Sequence, residues 1–327
     1  MSGVKSTKTE KLLILSCLLL LAGCTTQKPD LPYGSLDANS DFSIDTQTEA
    51  GKLPFFADEL CAAAEDITDT STVDISDLKA ACVYDVSNRK VAYSYRANDR
   101  LYPASLTKIM TALIVLENCD DLNEEVTVGD VNIREQGVQL FGLKEGDVLS
   151  VRKLLYATLV NSSNDAALAL ALYYGDSVEH FVEMMNSRAL ELGCTHTNFV
   201  NPHGLPNEEH YTCAYDLYLM FNEALKHEEF VKIIQTVKYT VEYKDSEGES
   251  QSKDITSTNS YLTGAYSKPG EVSIIGGKTG STASAGRCMI LYADAKDGDP
   301  YILVVMGAGD TDVLYDSMTK LCNDCVK

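Results

Sequence analysis

Apolar residues change their spacing twice along this chain, and those two changes limit the folds open to it. Two β-prone runs, 81–85 and 90–95, flank the polar turn Val86-Ser87-Asn88-Arg89 and predict a hairpin. From Pro103 the sequence is helix-compatible and mostly apolar up to Leu116, which predicts a buried helix opening on a rigid proline. Helical spacing continues over 151–160, 165–174, 177–192 (with Gly193 at the C-cap) and 214–236. Strand patterning returns at 237–244, 271–279, 286–295 and 301–308, ahead of a short helix over 313–324. A hairpin, a block of helices and a set of late strands describe an α+β fold. The late strands are expected to extend the hairpin into one antiparallel β-sheet flanked by helices.

Ahead of this pattern lies a different kind of sequence. Lys5, Lys8 and Lys11 precede the apolar run 12–22, which is too short to span a bilayer of about 20 helical residues. A positive start, a short apolar stretch and small residues at its end describe an export signal. That end reads Leu21-Ala22-Gly23-Cys24 and resembles the lipobox of bacterial lipoproteins. The expectation is a signal peptide over 1–23, a diacylated Cys24, and a protein exported and lipid-anchored to the outer face of the cytoplasmic membrane. Each buried methylene contributes about 0.8 kcal/mol, so two acyl chains hold durably where one does not. Residues 24–77 are expected to be the lipidated cysteine and a tether, polar and without sustained periodicity at first and ambiguous from residue 53, with the folded domain over 78–327. A formal charge of -21 excludes nucleic acid as a partner, because phosphate binding needs a basic footprint. Beyond Cys24, the cysteines from Cys61 to Cys325 are spread too thinly for a disulfide scaffold. Cys322-x-x-Cys325 reads as free thiols or a local bridge.

The chemistry-bearing residues come in three groups. Ser105 and Lys108 stand one turn apart at the start of the apolar helix. A serine hydroxyl needs a base within hydrogen-bond reach. A lysine can serve only when neutral, and lowering its value from about 10.4 to near 7–8 takes roughly 4 kcal/mol of differential stabilisation. Burial beside other cations supplies such a shift. S-x-x-K occurs seven times in this chain, so the spacing alone says little; only Ser105/Lys108 follows Pro-Ala at the head of an apolar helix. The second group is Ser162-Ser163-Asn164, in a polar break between two helical runs, a pattern echoed at Ser257-Thr258-Asn259. The third is Lys278-Thr279-Gly280, which ends a strand after Gly276-Gly277, where glycine lets a substrate backbone approach closely.

In this order the groups resemble the penicillin-recognising serine enzymes. S-x-x-K is followed 57 residues on by S-x-N, and a further 116 on by K-T-G. Within that superfamily the chain is similar to the low-molecular-mass D-alanyl-D-alanine carboxypeptidases, peptidase family S11. The resemblance runs from about Ala80 to Gly307 and includes Tyr102-Pro103-Ala104-Ser105, Asn201-Pro202-His203-Gly204-Leu205 and Gly277-Lys278-Thr279-Gly280. It implies a β-lactamase/transpeptidase-like domain that takes the peptidoglycan stem peptide as substrate and β-lactam antibiotics as covalent inhibitors, with no metal or cofactor. It makes Ser105 the nucleophile, Lys108 its base and Ser162 the relay to the leaving D-alanine. Asn164 orients the peptide, Lys278 supplies positive potential, Thr279 and Gly280 grip the substrate along the strand, and the N–H groups of Ser105 and Ser281 form the oxyanion hole.

Three departures accompany the resemblance. Pro206 stands where many members carry Asp after His-Gly-Leu, which bears on deacylation. Asp297-Gly298-Asp299-Pro300 replaces a region where many members have a basic residue for the substrate carboxylate, leaving Arg287, Thr279 or Ser281 to take that part. Too few residues follow Gly307 for the β-rich second domain and anchor helix of many members. Two other enzymes fit less well. A class A β-lactamase needs a deacylating glutamate and usually S-D-N. A zinc D,D-peptidase would need more than His196, His203 and His210 at seven-residue steps, since nothing resembles H-E-x-x-H. A lipoprotein that binds stem peptides without turnover is the alternative outside catalysis.

Overall fold

The computed structural model describes residues 60–327 except 63, 64, 136 and 271, so the signal, Cys24 and most of the expected tether lie outside the described residues. After the hairpin β1 (Ala80–Asp85) and β2 (Lys90–Tyr95) come a 3-10 turn (Ala104–Thr107), helix α1 (Lys108–Asn118) and the short strands β3 (Glu125–Thr127) and β4 (Val148–Ser150). Five helices follow: α2 (Val151–Leu159), α3 (Asn164–Gly175), α4 (Val178–Glu191), α5 (Ala214–Ala224) and α6 (Glu228–Ile234). Then come β5 (Lys238–Lys244), β6 (Ser250–Thr256), the single turn α7 (Ser260–Thr263), β7 (Ser273–Thr282), β8 (Gly286–Asp294), β9 (Pro300–Ala308) and α8 (Thr311–Cys325).

The main sheet is antiparallel, in the order β2-β1-β9-β8-β7, so the late strands do extend the hairpin. All six residues of β1 are buried. Ala80, Cys82 and Tyr84 face one apolar cluster, with the helices α1 to α6, while Ala81 and Val83 face a second one under α8. Burial on both faces explains why β1 and β9 read as continuous apolar runs rather than as an alternation. Helix α1 is buried from Lys108 to Val115. It is apolar almost all round because other helices enclose it, and that enclosure strips water from Lys108.

Three expectations need correction. Strand β5 does not join the main sheet; it pairs with β6 in a second sheet of order β3-β4-β5-β6. Only Val241 of β5 and Ile255 of β6 are buried, so β6 carries no apolar alternation and its sequence gives no strand signal. The helix expected over 214–236 breaks into α5 and α6 around Leu225–His227. Phe221 and Phe230 would point to opposite sides of one continuous helix; the break lets both rings reach the core, edge to face at 5.6 Å. Finally, the folded body begins ahead of residue 78. Cys61 is fully buried and its N–H donates to the Tyr218 hydroxyl at 3.0 Å. Ile67 bridges Ser94, covering the outer edge of β2. All eight cysteines from Cys61 to Cys325 are free thiols, and Cys322 and Cys325 lie buried on α8.

Candidate active site

Ser105 sits on the 3-10 turn that leads into α1, and the turn is clamped from several sides. Ala104 holds a left-handed φ of 49°, a strained value for a residue with a Cβ. Gly204 lies against it: a Cβ there would fall 1.8 Å from the Ala104 carbonyl oxygen. On the other side a Cβ at Gly280 would lie 3.1 Å from Ser105 N, so β7 passes directly beside the serine. Behind the turn, the Val200 N–H donates to His210 Nδ1 at 3.1 Å, which leaves the proton on Nε2. Nε2 meets Thr107 Oγ1 at 2.8 Å, and that hydroxyl donates to the Ala104 carbonyl at 2.8 Å. Burial, with the Lys108 charge adding to it, lowers His210 to about 4, so the ring stays neutral as this chain requires.

Lys108 is fully buried and its Nζ has three near neighbours. Asn164 Oδ1 lies at 2.6 Å, the His203 carbonyl at 2.7 Å and Ser105 Oγ at 2.9 Å. A neutral amine has two N–H bonds and one lone pair. Asn164 Oδ1 and the His203 carbonyl only accept, so in the neutral form they would take both N–H bonds and leave the lone pair to the Ser105 hydroxyl. Burial, and then the Lys278 charge, hold Lys108 well below its ordinary value, with Asp165 opposing more weakly. Both effects act in favour of the neutral amine.

Lys278 approaches from β7. Its Nζ donates to Ser162 Oγ and to the Thr279 carbonyl, each at 2.8 Å. Burial lowers it to about 7. Ser162 also holds a left-handed φ, 59°, in the break between α2 and α3, which turns its hydroxyl toward Lys278. Ser163 points elsewhere and accepts from Asn161 Nδ2 at 2.7 Å. An open cleft of about 270 Å³ brings Ser105, Ser162, Thr279, Gly280 and Ser281 together. Strand β7 is the edge of the sheet, paired only with β8, so its outer backbone groups are available to an extended peptide.

The structure adds residues that the motifs do not contain. Gln139, Thr258 and Arg287 also line the cleft. Thr258 shares a hydrogen bond with Thr279 at 2.6 Å, so the second S-x-N echo contributes its middle residue to the site. Arg287 donates to Ser281 Oγ at the mouth. Asp165 accepts the N–H groups of Phe141, Gly142 and Leu143 at 2.6–3.0 Å, tying the loop that bears Gln139 to the head of α3. His210 is buried and His203 half-buried beside the serine turn, and among the described residues neither joins His196 in a metal-ligand cluster.

A serine–lysine pair at the foot of a buried helix, faced by a second lysine on the edge strand of an antiparallel sheet, defines the class of penicillin-recognising active-serine proteins. The family model described as D-alanyl-D-alanine carboxypeptidase, peptidase S11, matches residues 67–310. The Bacillus subtilis D-alanyl-D-alanine carboxypeptidase DacF is 36% identical over 249 residues, 74% of this chain and 60% of the relative. The Escherichia coli enzyme DacC is 32% identical over 79% of this chain and 63% of its own length. The chain thus spans about three fifths of these two relatives. The crystal structure of the Streptomyces K15 DD-transpeptidase superposes with a TM-score of 0.69 at 28% identity, covering 76% of this chain and 96% of that one. The chain belongs to the D-alanyl-D-alanine carboxypeptidase family, peptidase S11.

Proposed function

We propose that this protein is a serine-type D,D-carboxypeptidase that removes the terminal D-alanine from peptidoglycan stem pentapeptides. The observation that carries the reading is the buried Lys108 amine, 2.9 Å from Ser105 Oγ and held between the acceptors Asn164 Oδ1 and the His203 carbonyl. Lys108 accepts the Ser105 proton as Oγ attacks the carbonyl between the two D-alanines. The N–H groups of Ser105 and Ser281 hold the developing oxyanion, an effect typically worth about a hundred- to thousandfold per donor. The proton passes through Ser162 to the departing D-alanine nitrogen, and water then releases the shortened peptide from Ser105. Asn164 and the β7 residues Thr279 and Gly280 align the peptide, and Lys278 supplies positive potential. β-Lactams acylate the same serine. The test is release of D-alanine from a peptide ending in Lys-D-Ala-D-Ala, with Ser105→Ala as control. Release that vanishes in the control supports the carboxypeptidase. An acyl-enzyme that forms with penicillin while no D-alanine is released would make the chain a binding lipoprotein.

The two lysines give the reaction a pH signature. Lys108 works when deprotonated, so acylation should rise with pH through its lowered value. Lys278 works when charged, so acylation should fall as the pH passes about 7. The second-order rate of penicillin acylation should be bell-shaped, and a flat profile between about pH 5 and 9 would overturn the assignment. Arg287, the exposed cation at the cleft mouth, is placed to meet the substrate's terminal carboxylate. Arg287→Ala should raise KM for the peptide about tenfold, in line with loss of one charged hydrogen bond; an unchanged KM would refute this role.

The same reading places the protein on the outer face of the cytoplasmic membrane through a lipid on Cys24, after removal of residues 1–23. The support is the charged start, the short apolar run and Leu-Ala-Gly-Cys. Partition of the protein into a detergent phase, lost in Cys24→Ser, tests it.

A further inference from the structure

One cluster of ligand-type side chains lies away from the cleft. Among the described residues, a ring nitrogen of His196, Cys213 Sγ and a carboxylate oxygen of Asp216 lie within 4.8 Å of one another. Cys213 and Asp216 are buried. We propose that His196, Cys213 and Asp216 form a binding site for one divalent transition-metal ion of the zinc type. The proposal does not depend on the reaction assigned to Ser105.

Residue 213 is a cysteine in a place that ordinarily holds an oxygen. It is the N-cap of α5, where its sulfur accepts the Asp216 N–H at 3.4 Å. Caps are ordinarily Ser, Thr, Asp or Asn, because an oxygen accepts well. A neutral thiol is a weak acceptor, so as a cap alone it is a poor choice. As a thiolate it both accepts the N–H and ligates a borderline-soft metal. Asp216 is held in place as well. Its Oδ2 accepts from the His196 N–H at 2.8 Å and from the Thr197 hydroxyl at 2.7 Å. Outer hydrogen bonds of this kind orient ligating carboxylates.

The charges balance. On binding, the Cys213 S–H proton passes to solvent as the sulfur–metal bond forms. One thiolate and one carboxylate then neutralise a dication, and imidazole completes a mixed N, S and O set of the kind zinc takes in tetrahedral sites. The ligands come from His196 and the head of α5, which no spacing motif in the sequence links.

The test uses the full-length protein, reduced and freed of metal. Zinc is titrated against a chromophoric chelator, and cobalt(II) is added separately to read thiolate-to-metal charge-transfer absorption. The expected result is one ion per chain with a cobalt–thiolate band. Cys213→Ser keeps an oxygen cap on α5 and should abolish the band and weaken zinc by more than about 100-fold, beyond what losing an outer-shell partner costs. His196→Ala, at a partly exposed position, should also weaken zinc while leaving the fold intact. Absence of the cobalt band, or zinc affinity equal in the parent and both variants, would overturn the site.

Discussion

Lys108→Arg should lower the acylation of Ser105 by about a hundred- to ten-thousandfold, the range typical of losing a positioned general base. Lys108 meets Asn164, His203 and Ser105 at 2.6–2.9 Å, so two roles are conceivable from distance alone. A charged lysine would donate to all three and stabilise negative charge on Ser105. A neutral lysine would take the serine proton. Arginine separates the two, because it keeps the positive charge and cannot be deprotonated in a protein. Lys108→Ala should lose as much activity as Lys108→Arg if the lysine is a base. The check is the second-order rate of labelling by a fluorescent penicillin, with thermal unfolding to establish that each variant is folded. An arginine variant within tenfold of the parent would mean that charge, and not proton transfer, is what Lys108 contributes.

The second large effect is expected from a residue that touches no substrate. Gly204→Ala should destabilise the protein by about 2–5 kcal/mol, summing the cost of a left-handed alanine and of overpacking. Gly204 has φ +91°, and its Cβ would fall 1.8 Å from the Ala104 carbonyl oxygen, a backbone atom with nowhere to go. In a domain of this size the melting temperature should fall by about 4–20 °C. Where the variant still folds, the Ser105 turn must shift, and a displacement of about 1 Å can cost a hundredfold in rate. Gly264→Ala supplies the internal control: its φ is +79° but nothing lies within 4 Å of the added Cβ. It should cost only about 1–2 kcal/mol and leave acylation unchanged. Equal losses for the two variants would show that the close contact with Ala104 is not what demands glycine at 204.

The legible part of the site is its list of motif residues. Ser105, Lys108, Ser162, Asn164 and Lys278 were separable from chance repeats by order and by context, and the structure brings all five around one cleft wall or its floor. Gln139 and Thr258 were not separable, and Arg287 was only one of three candidates for the substrate carboxylate. Each is an ordinary polar residue in a loop, at a strand end or on an edge, and only the packing of three distant segments places it in the cleft. His210 reads as an isolated histidine because its partner Thr107 lies 103 positions away, and His203 reaches Lys108 through its backbone carbonyl, which no side chain signals.

Local pattern by itself determined the hairpin, the buried helix at Lys108, the order of most helices and late strands, and the placing of Ser105 and Lys108 one turn apart. These follow from side-chain periodicity and from spacing within one helical turn, both of which are properties of short segments. Tertiary structure alone decided that β5 leaves the main sheet, that the helix expected over 214–236 breaks so that Phe221 and Phe230 meet, and that Lys108 is stripped of water and held below its ordinary pKa. Strand partnership depends on which edges remain open after the rest has packed. The charge of a lysine depends on how much water and which charges surround it, and both are set by side chains far away in the chain.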